Sequence, residues 1–151
     1  MDPMTGCLNR RGWDRGIEGE ERRCARHGLD AVVVIVDLDE LKATNDVHGH
    51  AAGDRRLVQC ARAIREAVRR EDLVARLGGD EFAVLAVHAT SEARDVVAHV
   101  RRAFDAAGIR ASVGCALRSA HGGLDAALVA ADEEMLARKR QQPRRTVSGE
   151  L

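Results

Sequence analysis

The chain has 151 residues, and its 24 Lys+Arg are balanced by 24 Asp+Glu, giving no formal net charge. That length is one domain with room for a real core. A composition of 45% hydrophobic and 32% charged residues, with two Phe, one Trp and no Tyr, excludes a disordered tract. It also excludes a general nucleic-acid binder, which would carry a basic excess and aromatic stacking platforms.

No element is assigned before Ala31. No apolar run exceeds six residues, far too short to span a bilayer, and one of these, Ala31–Val36, is rich in β-branched residues, which suits a strand buried on both faces. A short helix is predicted over Glu40–Val47. His48-Gly-His-Ala-Ala-Gly53 interrupts it, and Asp54 is placed to cap the next helix, which runs to about Arg70 with Leu57, Ala61, Ile64 and Val68 on one face. Leu73–Leu77 and Phe82–Val87 read as two strands joined through Gly78-Gly79, a tight hairpin whose favoured turn needs positive φ. Glu92–Ala107 is an amphipathic helix ended by Gly108. Arg110–Leu117 is a strand, Leu124 to about Arg140 a final helix, and the residues from Pro143 to Leu151 a polar tail. Strands mixed with helices around one hairpin and one crossover give the α/β class, an α+β sandwich.

The four cysteines, Cys7, Cys24, Cys60 and Cys115, contain no C-x-x-C pair and read as isolated thiols of a reducing cytoplasm. No secretory signal opens the sequence. Only Lys42 and Lys139 are lysine; the other 22 basic residues are arginine.

The acids carry the chemical signal. Asp37-Leu38-Asp39 follows the most apolar run and Asp80-Glu81 follows the glycine pair. If the two strands are neighbours, Asp37 and Asp80 meet at one end of the sheet. Carboxylates gathered there repel unless a cation neutralises them, and hard oxygen ligands suit Mg²⁺ completed by water and phosphate oxygens. The pattern points to a nucleoside-triphosphate site.

The sequence also resembles a known family. Gly78-Gly-Asp-Glu-Phe82 matches the signature of the GGDEF domains, the diguanylate cyclases. Asp2–Arg11 is similar to the family's opening D-x-L-T-G-L-x-N-R-R, Asp37–Asp46 to D-x-D-x-F-K-x-x-N-D, Gly49–Asp54 to G-H-x-x-G-D, Ser112–Gly114 to S-x-G, and Ala131-Asp132 with Lys139 to the last helix. The match runs in order over nearly the whole chain, making 1–141 a catalytic domain and 142–151 a tail. The resemblance implies a polymerase-palm-like central mixed sheet with flanking helices, and a reaction that condenses two GTP into cyclic diguanylate (cyclic di-GMP) across a homodimer, with Mg²⁺ (or Mn²⁺). It assigns Asp37, the Leu38 carbonyl, Asp80 and Glu81 to the metals, with Asp80 or Glu81 helping to deprotonate the attacking hydroxyl. Asn45 and Asp54 take guanine, Lys42 and Lys139 take phosphates, and Gly78 and Gly79 leave room for the nucleotide. Asp54 favours two guanines over a mixed product. Arg69 and Asp72 fit the R-x-x-D product-inhibition site, with Arg76 assisting. His48 and His50 belong to the turn; His27, His88, His99 and His121 read as surface or boundary residues.

The sequence departs from the family at three places. Leu41 stands where Phe is usual, Leu136 where Tyr is usual, and Pro143 where a basic residue assists the phosphates, a role open to Arg144 or Arg145. The alternative expectation is a weak or inactive module that binds GTP or cyclic diguanylate as a sensor. Neither nucleic acid nor a membrane is expected as a partner of this chain.

Overall fold

The computed structural model describes residues 1–87 and 93–142. The expected helix start at Glu92, His88, and the tail with Pro143, Arg144 and Arg145 fall outside them. Among the described residues the elements in chain order are α1 (Arg10–His27), β1 (Val32–Leu38), α2 (Leu41–His48), α3 (His50–Ala67), β2 (Leu73–Arg76), β3 (Glu81–Ala86), α4 (Ala93–Ala107), β4 (Ala111–Leu117), α5 (Arg118–His121) and α6 (Leu124–Gln141). No described helix is long and apolar enough to cross a membrane.

All seven residues of β1 are buried, because this strand is central in the order β2-β3-β1-β4 and is covered on both faces. Its side chains alternate between two cores. Val32, Val34, Val36 and Leu38 meet Leu57, Cys60 and Ile64 of α3 and Val100 and Phe104 of α4. Val33 and Ile35 meet Trp13, Ile17 and Cys24 of α1 and Leu124, Ala127, Ala131 and Met135 of α6. The result is a sheet between two helical layers, the α+β sandwich expected. Burial of each such aliphatic side chain is worth about 1.5–3 kcal/mol, so the continuous apolar run is required by two-sided packing.

β1 pairs antiparallel with β3 and with β4, and β2 pairs antiparallel with β3. The expected mixed character is confined to an isolated parallel bridge between Leu8 and Ala75. Each crossover, β1–α2–α3–β2 and β3–α4–β4, skips one strand position, giving two interlocked split β-α-β units.

Four readings need correction. First, α1 was not expected at all. Its buried positions are Trp13, Ile17, Glu20 and Cys24, and Glu20 interrupts the apolar stripe. Second, Asp54 is not a cap: α3 begins at His50 after Gly49, and no side chain caps it. Third, α3 stops at Ala67 rather than near Arg70.

Finally, the glycine pair does not form a two-residue turn with positive φ. Neither Gly78 nor Gly79 is among the positive-φ residues, and Leu77 N–H donates to the Glu81 carbonyl at 2.8 Å. The tip is therefore Gly78-Gly79-Asp80, one residue longer than expected. The four cysteines are free, Cys115 being the one that is only half-buried.

α6 approaches β4 unusually closely. A Cβ on Gly114 would lie 2.1 Å from the Ala131 carbonyl oxygen and 2.4 Å from the Met135 nitrogen. This backbone-to-backbone contact fixes the depth of α6, and one turn beyond Met135 the same helix face carries Lys139 to the end of the sheet.

Candidate active site

Asp37 is the penultimate residue of β1 and pairs with Glu81 on one side and Ser112 on the other. Alternation along β1 turns Asp37 toward the face covered by α6. The hairpin tip is fastened to the same strand end, because Leu38 N–H donates to the Asp80 carbonyl at 2.9 Å. Asp37 is only 9% exposed. Its Oδ1 lies 3.0 Å from Lys139 Nζ, an ion pair in which the buried oxygen accepts no hydrogen bond of good geometry.

Burial raises the Asp37 carboxyl above the ordinary range, Lys139 opposes the rise, and the charges of Asp80 and Asp39 add to it. Burial alone would lower the Lys139 ammonium, but Asp37 more than offsets this and the ammonium is raised. Glu81 is also raised, by burial first and then by Asp132 and Asp37, with Arg10 opposing. Such a set of like charges is relieved by a cation. Among the described residues no three His, Cys, Asp or Glu side chains gather into a ready-made cation site. The expected set of Asp37, Asp80 and Glu81 is thus no protein cage. A buried carboxylate oxygen without a good hydrogen bond, beside a second acid, still fits Mg²⁺, which takes one or two carboxylates and completes its shell with water and phosphate.

Asp39 is held apart from this pair: its Oδ1 accepts from Ser112 Oγ at 3.0 Å. Glu40 follows at φ 63°, the one non-glycine residue with positive φ among those described, and this sharp turn starts α2. No side chain caps that helix, which leaves first-turn N–H groups without a side-chain partner, and Lys42 in the same turn is exposed. Such an end attracts phosphate.

Asn45 packs against α3 at Gly53, the residue before Asp54. A Cβ on Gly53 would lie 1.7 Å from Asn45 Oδ1, so only glycine lets the amide rest on α3 where it does. That Oδ1 is buried and unpartnered, whereas Asp54 is exposed. Gly53 was not singled out in the sequence, although its place directly before Asp54 was visible.

Arg69 and Asp72 line a cavity of about 530 Å³, together with Arg65, Arg70 and Val74. Arg69 is exposed. Asp72 is engaged by the fold: Oδ2 accepts from Arg69 N–H at 2.8 Å and Oδ1 from Val87 N–H at 3.0 Å. Arg76 does not join them. Its guanidinium donates to the Gly78 and Gly79 carbonyls, with Nη2 to Gly79 at 3.0 Å, and Nη1 reaches Asp2 Oδ1 at 3.4 Å. Asp2 in turn accepts from Thr5 N–H and Oγ1. Arg76 therefore ties the hairpin tip to the amino-terminal turn, a role that the sequence reading did not assign. A cavity of about 620 Å³ between α4, β4 and α6 shares Asp39 with the site but is lined by neither Asp37 nor Asp80.

The family model described as "Diguanylate cyclase, GGDEF domain" matches residues 1–145. The chain belongs to the GGDEF domain family. Diguanylate cyclase TpbB of Pseudomonas aeruginosa is 38% identical over 152 aligned positions, covering 93% of this chain and 35% of that protein. Probable diguanylate cyclase DgcC of Escherichia coli is 43% identical over 84 residues, covering 56% of this chain and 23% of that protein. The chain thus spans only a minor part of the curated relatives it matches. The solved GGDEF domain of TpbB superimposes with a TM-score of 0.86 at 35% identity, covering 93% of this chain and 89% of that one. The GGDEF fold is therefore the one this chain adopts.

Proposed function

We propose that this GGDEF domain is a diguanylate cyclase that condenses two GTP into cyclic diguanylate and two pyrophosphates, with Mg²⁺ (or Mn²⁺) bound at Asp37 and Asp80. The observation that carries this reading is the buried Asp37 carboxylate, 3.0 Å from Lys139 and beside the Asp80 hairpin at one sheet end. The family relationship supports the substrate. A solved microbial GGDEF domain described with cyclic di-GMP is 30% identical with a TM-score of 0.84, which supports the product.

Asp37, Asp80 and the Leu38 carbonyl hold the cation, with Glu81 beside them. When bound, it offsets charge on the triphosphate and on the leaving pyrophosphate. Lys42, Lys139 and the uncapped start of α2 bind phosphate oxygens. Asp54 accepts from guanine N1–H and the 2-amino group while Asn45 bonds the base edge, a donor pattern that adenine does not present. Asp80 or Glu81 takes the proton from the 3′-hydroxyl, whose oxygen attacks the α-phosphorus of the GTP held by a second protomer. Each protomer supplies one nucleotide, so a homodimer completes the site.

Gly78 and Gly79 suit a ligand at the tip. A Cβ at either meets nothing within 4 Å, and neither has a positive φ. Neither protein packing nor backbone strain requires glycine there, and close approach by a nucleotide supplies a reason. Product inhibition acts through Arg69, with Asp72 shaping the turn that presents it.

The test is product identification. Purified protein with Mg²⁺ and GTP, ATP or both should yield cyclic diguanylate from GTP alone, and Asp80→Ala should abolish it. Binding of the dinucleotide without turnover at high protein concentration would replace the enzyme by a sensor.

A further inference from the structure

Asp37 Oδ1 is almost without accessible surface, and the cation that meets it belongs to the protein. Lys139 Nζ sits 3.0 Å away, on a side chain 40% exposed at the last turn of α6. The ammonium is tethered but not enclosed, so it can swing outward without disturbing the core. A magnesium–oxygen bond is about 2.0–2.1 Å. A divalent ion on this oxygen and an ammonium at its present distance would be forced together with like charge.

We infer that Lys139 is a stand-in cation that occupies the metal's oxygen until a triphosphate draws it away, so that the site selects the metal–nucleotide complex over the free metal. The inference rests on the proposed metal site and adds a second duty to Lys139. Without nucleotide, Lys139 neutralises Asp37 and opposes a free divalent ion. With nucleotide, the phosphate oxygens offer the ammonium a better partner, and Asp37 Oδ1 is released as the metal arrives. Neutralising a lysine that only binds phosphate leaves nucleotide-free metal affinity unchanged. Neutralising a stand-in cation raises it.

The experiment is Mn²⁺ titration of the nucleotide-free protein, reading free Mn²⁺ by electron paramagnetic resonance, for wild type, Lys139→Met, Lys139→Gln and Lys42→Met. Both Lys139 variants should bind Mn²⁺ roughly tenfold more tightly, the change that about 1.4 kcal/mol of lost charge competition produces. Lys42→Met should match wild type, and adding Asp37→Asn to Lys139→Met should cancel the gain. Thermal melting checks that each variant is folded. Unchanged Mn²⁺ affinity in folded Lys139 variants, or no measurable binding to them, overturns the inference. A wild type that makes no cyclic diguanylate defeats the cyclase reading but leaves this comparison standing. Unchanged affinity in an active enzyme defeats only the role of Lys139.

Discussion

Gly53→Ala separates the base-reading role of Asn45 from the stability of the fold. The new methyl would lie 1.7 Å from Asn45 Oδ1, 2.7 Å from its Cγ and 3.1 Å from its Nδ2. All three atoms belong to the free end of one side chain, and that Oδ1 has no hydrogen bond to lose. Moving Asn45 off its rotamer costs about 0.5–1.5 kcal/mol. Replacing glycine inside α3, at a position without positive φ, returns about 0.8–1.0 kcal/mol. Stability should thus stay within about 1 kcal/mol of wild type, a shift of a few degrees in Tm. The base contact does not recover. Losing one hydrogen bond to guanine costs about 1–1.5 kcal/mol, so the KM for GTP should rise roughly tenfold. Thermal melts and steady-state cyclase kinetics measure the two effects side by side. An unchanged KM would show that Asn45 does not touch the base. A stability loss above about 2 kcal/mol would show that the Asn45 side chain cannot yield.

Other perturbations probe the surroundings of the site. Gly114→Ala meets backbone atoms of α6 instead of a mobile side chain, so urea denaturation should show a loss of about 3 kcal/mol or more, the upper range of overpacking; wild-type stability would contradict the close approach. Arg69→Ala should weaken cyclic diguanylate binding in calorimetry at unchanged stability. Asp72→Ala removes the acceptor of the exposed Arg69 amide and of the part-buried Val87 amide, and urea denaturation should show a loss of about 1–3 kcal/mol, carried by Val87 because the Arg69 amide can turn to water. Glu21 is held below its ordinary value of 4.5, first by the hydrogen bond from Arg118 and then by that from Leu124 N–H. A depressed carboxyl stabilises fully above its unfolded value and loses that contribution as pH falls through the folded one. Glu21→Gln should therefore lower Tm at pH 7 and narrow its gap to wild type below pH about 4; a constant gap would contradict this linkage.

Legibility in the sequence followed the physics of each segment. Ala31–Val36 could be read because a strand packed on both faces has little room for polar residues. The α6 stripe could be read because Leu124, Ala127, Ala131 and Met135 keep helical spacing. α1 was missed because Glu20 sits among its buried positions, held by Arg23 Nε at 3.1 Å; spacing alone, from Trp13 to Ile17 to Cys24, held the signal. Asp54 looked like a cap because its type suits one, while the helix had already begun at His50 and runs through Ala51 and Ala52, the residue type with the highest helix propensity. Asp37 and Asp80 could be placed at one sheet end because each acid sits where an apolar strand meets a turn, whereas the ion pair of Lys139 with Asp37 was not read. The links Arg76–Asp2 and Asn45–Gly53 were hidden because they join positions whose proximity only the folded chain creates.

The most direct measurement of the central claim is Mn²⁺ binding in the presence of a non-reacting GTP analogue, by water-proton relaxation, for wild type and the Asp37→Asn, Asp80→Asn double variant. The account predicts a strongly enhanced relaxation signal with wild type that disappears in the folded double variant. An equal signal from both proteins would contradict it, because the cation would then be held by something other than these two aspartates.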